Sequence, residues 1–165
     1  MYLVNSLNEL ELLLKQQPEL WEPDNLLLLQ EKLEHETDKG IIRLEFIDGK
    51  LLYAMRVVTN GAFNLCPSVV CNPEDGTSLC EVIAGAKPEF YALKEISNKA
   101  VEIGEKIMNA AGHSTGSVEF LITKDGRMVF YDINSNSNLR ESIANEFDKN
   151  AFEELVKFLL TQVKN

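Results

Sequence analysis

Two acidic residues placed symmetrically about a turn are the strongest chemical signal in the chain. Glu119 and Asp132 each lie five residues from one end of the tetrapeptide 124–127, whose central pair is Asp125-Gly126. Asp-Gly is a preferred pair for a two-residue β-hairpin turn, and such a turn sets Glu119 opposite Asp132. Directly opposed residues have β-carbons about 4.5–5.5 Å apart, and like charges there repel each other. A divalent cation is the simplest group that would offset the repulsion.

Asn134 lies on the same predicted strand face, two residues beyond Asp132. Its side chain adds a neutral oxygen to two anionic ones, which suits a hard cation such as Mg²⁺ or Mn²⁺. The residues leave an alternative open, in which this is a solvated sheet edge with one carboxyl protonated or a lysine nearby.

Length and charge limit the classes of function. The chain has 165 residues and a formal net charge of −10, which fits one domain or two small lobes and disfavours nucleic acid or an anionic membrane as the main partner. No apolar run approaches the roughly 20 residues of a spanning helix, and the amino terminus has no signal-peptide pattern. We therefore expect a cytoplasmic protein.

The cysteines give no metal or disulfide pattern. Cys66, Cys71 and Cys80 are an odd number without a C-x-x-C pair, and His35 and His113 are distant in sequence. Structural zinc needs four donors at closer spacing. We expect reduced thiols that are mostly packed.

The amino-terminal part is predicted to contain short elements. We expect a strand over 2–4, a helix from a Ser6 cap to about Gln17, a short buried strand over 26–30 and a loop over 34–39.

A first hairpin is predicted over 41–58, with its turn at Asp48-Gly49. This register pairs Arg43 with Ala54 and makes Arg56 a diagonal neighbour of Arg43. With Glu45 between them, the two arginines form either a surface ion-pair network or a clamp for a polyphosphate. The opposite face is wholly apolar and consists of Ile42, Leu44, Phe46, Leu51, Tyr53, Met55 and Val57.

The remaining pattern predicts helices packed on hairpins. Residues 63–87 read as an irregular segment suited to substrate recognition, and helices are predicted from Pro88 to Gly112 and after an Asn150 cap. The fold class is therefore α+β, an antiparallel sheet of hairpins with helices on one face. The apolar face of the second hairpin is Val118, Phe120, Ile122, Val129, Tyr131 and Ile133. The inward face of the last helix is Phe152, Leu155, Val156, Leu159 and Val163.

Five segments in this order resemble the carboxy-terminal part of an ATP-grasp ligase. They are Leu29–Leu33, Ile41–Glu45, Leu52–Arg56, Val118–Phe120 and Tyr131–Asn136. The resemblance covers nearly the whole chain. It implies a remnant of the small ATP-binding lobe with its hinge over 1–36 and a carboxy-terminal ATP-grasp subdomain over 37–165. We expect the amino-terminal domain and the glycine-rich lid to be absent.

The resemblance also implies roles for individual residues. The hinge that contacts adenine would be Gln30, Glu31, Lys32 and Leu33. Arg43 and Arg56 would meet the nucleotide phosphates or the acyl substrate, and Glu119, Asp132 and Asn134 would bind the metal. Asp132 stands where the family usually has glutamate. Asn136, Asn138 and Arg140 would extend the site toward substrate.

The implied reaction is phosphorylation of a carboxylate by ATP, followed by displacement of phosphate by an amine or sometimes a thiol. The partners would be ATP, Mg²⁺ or Mn²⁺, a small carboxylate and an amine, with a separate chain or domain supplying the missing lobe. Two hypotheses follow. The chain is either a ligase module or a non-catalytic binding or scaffold domain derived from such an enzyme.

Overall fold

A computed structural model describes residues 2–34, 40–58, 88–136 and 138–163. The expected irregular segment over 63–87, its three cysteines, His35 and most of the loop after Glu34 lie outside the described residues. Within the described ranges, no helix is both long and apolar enough to cross a membrane.

The core of the molecule is one five-stranded antiparallel sheet with the strand order β3-β2-β1-β4-β5. Its strands are β1 (Ile41–Ile47), β2 (Lys50–Val58), β3 (Glu89–Ala92), β4 (Thr115–Ile122) and β5 (Met128–Asn134). The helices are α1 (Leu7–Gln16), a 3-10 turn (Pro18–Trp21), α2 (Asn98–Ala110), α3 (Glu141–Asn145) and α4 (Ala151–Val163). The predicted α+β class and antiparallel sheet are confirmed.

The helices divide between the two faces of the sheet, whereas the sequence pattern placed them on one. On one face, Met108 of α2 packs with Leu44 and Phe46. On the other, Ile143 of α3 packs with Tyr53. Every residue of β1 is buried, as expected for a central strand covered on both sides.

The amino-terminal helix begins and ends as predicted, but the flanking strands do not form. The Glu9 amide donates to Ser6 Oγ at 3.2 Å, so Ser6 is the N-cap. Residues 2–4 and 26–30 have no strand structure, and Leu28 is 88% exposed. An apolar run forms a strand only where a neighbouring strand can pair with it.

The helix predicted from Pro88 begins ten residues later. Residues 89–92 instead pair with β2 as an edge strand, and Ser97 Oγ accepts from the Ala100 amide at 3.2 Å as the N-cap of α2. The predicted end is confirmed, because Gly112 has a φ of +69° and the His113 amide donates to Met108 O at 3.0 Å.

The last helix has the predicted cap but a different buried stripe. Asn150 Oδ1 accepts from the Glu153 amide at 2.9 Å. Ala151, Leu155 and Phe158 pack on the core. Four residues predicted to face inward are instead about half exposed or more, namely Phe152, Val156, Leu159 and Val163.

A β-bulge changes the first hairpin beyond its turn. Asp48 and Gly49 have φ values of +54° and +66° and form the predicted two-residue turn. Leu52 is then an extra residue, because Phe46 pairs with Leu51 but Glu45 pairs with Tyr53. The predicted pairing of Arg43 with Ala54 is therefore wrong. The shift moves Tyr53, Met55 and Val57 from the predicted apolar face to the face that carries Arg43. Ile42 and Leu44 lie on the other face of the sheet.

Two irregularities cancel in the second hairpin. The Thr123 amide donates to Arg127 O at 3.0 Å, which makes the turn one residue longer than predicted. Ile122 therefore pairs with Met128, whereas a two-residue turn at Asp125-Gly126 would pair it with Val129. Tyr131 is an extra residue in β5, and it restores the predicted pairing of Glu119 with Asp132. Met128 and Phe130, not Val129 and Tyr131, pack against the α2 side of the sheet.

Candidate functional site

Six polar residues occupy two adjacent rows on one face of the sheet, and we call them the polar grid. Both rows run from β1 across β4 to the edge strand β5, so each row contains one residue from each of these three strands. The first row is Arg43, Glu119 and Asp132, and the second is Glu45, Ser117 and Asn134. The β1 and β4 members are at most 4% exposed, while the β5 members are partly exposed.

Arg43 is held between two buried carboxylates. Its Nε lies 2.6 Å from Glu45 Oε1, and its Nη1 lies 3.3 Å from Glu119 Oε1. The three side chains are almost completely removed from solvent. Loss of one partner would leave an uncompensated buried charge, which is strongly destabilising. Arg43 therefore holds Glu45 and Glu119 in place within the grid.

Glu119 is only loosely satisfied by its neighbours. Its Oε2 accepts from the Tyr131 hydroxyl at 3.2 Å, and its Oε1 accepts from Arg43 at 3.3 Å. Both distances exceed the ~2.5–2.9 Å of strong charge-assisted hydrogen bonds. Burial raises the pKa of Glu119 and the nearby Asp132 adds to this, while Arg43 opposes it. A buried carboxylate with long contacts and a second carboxylate opposite is electrostatically suited to a cation.

Tyr131 reaches Glu119 because it is the extra residue of the β5 bulge. In a regular strand its side chain would point to the face opposite Asp132, whereas a bulge redirects the side chain. Burial, followed by the charge of Glu119, raises the pKa of the Tyr131 phenol. The phenol thus remains a protonated donor to Glu119.

The three predicted metal ligands lie together at the edge of the grid. Asp132 faces Glu119, and Asn134 Nδ2 donates to Asp132 Oδ2 at 2.7 Å. Within the described ranges, no group of three or more Asp, Glu, His or Cys side chains is arranged to hold a metal ion. Mg²⁺ usually binds through one or two carboxylates together with waters and substrate phosphates. Two carboxylates and an amide therefore fit a magnesium site that is completed by a nucleotide.

The second predicted arginine lies on the other side of the sheet. Arg56 pairs with Ile42, so it points to the α2 face and away from Arg43. The Leu52 bulge causes this difference, because it shifts the β2 register by one residue. The predicted clamp of Arg43 and Arg56 does not form.

Arg140 instead supplies a second cation on the Arg43 face. Its guanidinium carbon lies 3.3 Å from the centroid of the Phe90 ring, which is a cation–π contact. Its backbone amide donates to the Tyr53 hydroxyl at 2.9 Å. Burial, followed by the charge of Arg43, lowers the pKa of Arg140, and an arginine remains protonated in proteins even so. Arg140 therefore adds a partly buried cation to the face that carries the polar grid.

Solved structures show what this arrangement is similar to. Neither a protein-family model nor a curated protein matches the sequence. Structures of the ATP-grasp ligase PsnB do match. One, with a phosphomimetic variant of a minimal precursor, Mg and ADP, has 17% identity and a TM-score of 0.54 over 81% of this chain. Another, with the minimal precursor, has 17% identity and a TM-score of 0.55 over 81% of this chain.

The fold is ATP-grasp-like. At this level of identity the likeness concerns the fold alone. The chain spans about a third of the length of the ligase, 35% and 36% in the two structures.

The remaining predicted site residues lie around this ATP-grasp-like sheet. Residues 30–33 form an irregular segment in which only Leu33 is partly buried. The next residue, Glu34, accepts from Lys124 Nζ at 2.6 Å, and this hydrogen bond lowers the pKa of Glu34. The segment therefore ends beside the β4–β5 turn. Asn136 and Asn138 are exposed after β5.

Three residues of the site were not identified from the sequence, namely Ser117, Tyr131 and the Phe90 partner of Arg140. Ser117 was detectable, because it precedes Glu119 by two residues and so shares its face. The roles of Tyr131 and Phe90 were not detectable. The position of Tyr131 depends on the β5 bulge, and that of Phe90 depends on the pairing of β3 with β2. The local sequence pattern reveals neither.

Proposed function

We propose that this chain is the nucleotide- and metal-binding portion of an ATP-dependent carboxylate–amine ligase that uses an acyl-phosphate intermediate. The observation that carries the proposal is the opposed pair of Glu119 and Asp132, with Asn134 beside it, on an ATP-grasp-like sheet. In this proposal residues 37–165 are the carboxy-terminal ATP-grasp subdomain, and residues 1–36 belong to the small lobe and hinge. PsnB structures that contain Mg with ADP, and AMPPNP, support this class of ligand.

Glu119, Asp132 and Asn134 would hold Mg²⁺ or Mn²⁺. The bound ion would neutralise charge on the nucleotide phosphates during phosphoryl transfer. The buried Arg43 keeps Glu119 in place and reduces the repulsion among the carboxylates. Because Arg43 and Glu119 are buried, the attraction between them is stronger than it would be at the surface.

Arg140 would contact a phosphate group or the acyl substrate. Its stacking on Phe90 and its backbone bond to Tyr53 fix the position of the residue before any ligand binds. A guanidinium oriented in advance loses little freedom when it pairs with phosphate or carboxylate. Arg56 lies on the other face, and the proposal assigns it no catalytic role.

Residues 30–33 would contact adenine, and Asn136 and Asn138 would line the route toward substrate. The substrates of the complete protein would be a carboxylate, which ATP phosphorylates, and an amine that displaces the phosphate. A separate chain or domain would supply the remaining ATP-binding lobe. The PsnB structures hold a precursor peptide, so a peptide carboxylate is the first acyl substrate to test.

The contacts of the polar grid also favour a second candidate, a non-catalytic binding or scaffold domain. Arg43 compensates Glu45 and Glu119, and Asn134 donates to Asp132. These contacts hold the acidic residues without requiring a metal. In a scaffold domain they would be purely structural.

Thermal unfolding with Mg²⁺ alone, ATP alone and both together separates the two candidates. A ligand that binds the native state raises the midpoint by mass action. The ligase module predicts a rise that requires both components and disappears in Glu119→Gln. Glu102→Gln is the control, because Glu102 is exposed on α2. A chain that shows no shift up to millimolar Mg-ATP would favour the scaffold.

A further inference from the structure

Ser117 is a fully buried residue with an unsatisfied hydroxyl. Its exposed fraction is 0%. Among the buried side-chain atoms of the described residues, Ser117 Oγ is the one that has no hydrogen-bond partner. Burial of a hydroxyl without a partner destabilises the folded state, because the group loses its hydrogen bonds to water. Such a group in the interior calls for a physical explanation.

The position of Ser117 is the middle of the second row of the polar grid. It faces Glu45 on β1 and Asn134 on β5. Opposed residues in such pairs have β-carbons about 4.5–5.5 Å apart. Ser117 also precedes Glu119 by two residues, which places both side chains on one face of β4. The unsatisfied hydroxyl therefore lies among the residues proposed to hold the cation.

We propose that Ser117 is a further residue of this cation site and that its hydroxyl binds the hydration shell of the ion. This inference rests on the proposed function. Mg²⁺ gives up its waters reluctantly and usually keeps several of them when protein carboxylates bind it. A serine hydroxyl accepts a hydrogen bond from such a water and can donate one to a neighbouring carboxylate. The cation-bound state thus supplies the partner that Ser117 lacks.

Ser117→Ala should have two effects of opposite sign, one on stability and one on metal affinity. Without metal, the substitution removes an unsatisfied buried hydroxyl, so the protein becomes more stable. With metal, it removes a contact to the hydrated ion, so the affinity for the ion falls. A serine with a purely structural role would move stability in the other direction and would leave metal affinity unchanged.

The test measures both quantities on the whole chain. Mn²⁺ binding is followed by the loss of the free-ion electron paramagnetic resonance signal in the presence of ADP, and unfolding is followed in chelator. We expect Ser117→Ala to weaken Mn²⁺ binding about tenfold and to raise the metal-free midpoint by about 2 °C. Ser114→Ala is the matched control, because Ser114 is exposed just before β4, and it should change neither quantity.

Mn²⁺ binding by the wild type distinguishes a failure of the Ser117 inference from a failure of the proposed function. If the wild type binds Mn²⁺ and Ser117→Ala binds it equally well, the inference is wrong and the proposed function stands. A lower metal-free midpoint for Ser117→Ala would also overturn the inference, because the hydroxyl would then be satisfied. A wild type that binds no Mn²⁺ would overturn the proposed function and this inference with it.

Discussion

Glu119 on β4 and Asp132 on β5 lie directly opposite each other. The neighbouring pair is Phe120 with Phe130, so Tyr131 is an extra residue in β5. The same irregularity that brings the two carboxylates together also aims the Tyr131 hydroxyl at Glu119. A local departure from strand geometry thus builds two features of the site at once. Bulges that redirect side chains are common beside functional sites.

Asp132→Asn should separate electrostatic repulsion from metal binding. The change removes one of two opposed charges at nearly constant shape. In chelator we expect stability to rise by about 0.2–1 kcal/mol, because like charges directly opposite destabilise a strand pair. In Mg-ATP the variant should lose the metal-dependent stabilisation of the wild type. Thermal unfolding under both conditions checks this, and a variant stabilised equally by Mg-ATP would contradict the ligand role of Asp132.

Tyr131→Phe should destabilise the protein by about 1–2 kcal/mol in urea unfolding at neutral pH. The variant removes a hydrogen bond to a buried carboxylate and leaves Glu119 Oε2 without that donor. Tyr91→Phe is the matched control. Its hydroxyl donates to Glu89, but Tyr91 is 50% exposed, so the expected loss is below about 0.5 kcal/mol. Equal losses for the two variants would show that the Tyr131 contact has no special energetic role.

The strands near each turn could be predicted from the sequence, because the Asp-Gly pairs fix where the chain reverses. The Asp48-Gly49 turn and the pairing next to it are as expected. The pairing of Glu119 with Asp132 is also correct, but only because the longer turn at Asp125-Gly126 and the Tyr131 bulge shift the register in opposite directions.

The face assignments beyond each bulge could not be predicted, since one extra residue moves all later side chains to the other face. This explains why Arg56 is not beside Arg43. The local periodicity around residues 88–97 likewise suits a helix. The free edge of β2 is available for pairing only in the folded sheet, and the resulting strand brings Phe90 under Arg140.

The raised pKa of Glu119 predicts a specific dependence of stability on pH. The unfolded-state pKa of glutamic acid is about 4.3, and burial raises the folded-state pKa above this value. The folded state then binds more protons between the two values, so its stability falls as pH rises through this window. The loss is complete above the folded-state pKa.

Comparison of the wild type with Glu119→Gln isolates this effect, because other titrating groups, such as Glu34 and Asp125 with their lowered pKa values, are present in both proteins. We expect the wild type to lose stability relative to the variant over the range from about pH 4.3 up to the raised folded-state pKa of Glu119, with a slope of at most ~1.4 kcal/mol per pH unit. Urea unfolding across this range in chelator is the measurement. A difference that is constant with pH would contradict the raised pKa.

Arg140→Lys should weaken Mg-ADP binding about fivefold to tenfold. Lysine keeps the positive charge but loses the planar group that stacks on Phe90 and pairs with two oxygens at once. Calorimetric titration checks this. Arg127→Lys is the control, because Arg127 is an exposed residue of the β4–β5 turn that pairs with Asp125 at 2.7 Å. Unchanged affinity in Arg140→Lys would exclude Arg140 from the nucleotide site.

The most direct test of the cation site is an anomalous difference map from crystals grown with Mn²⁺ and ADP. The proposed function predicts a peak between Glu119 and Asp132, about 2 Å from a carboxylate oxygen of each, with the Asn134 side chain alongside. A map with no peak at this position, in which Glu119 still pairs with Arg43 and Asp132 still accepts from Asn134, would contradict it.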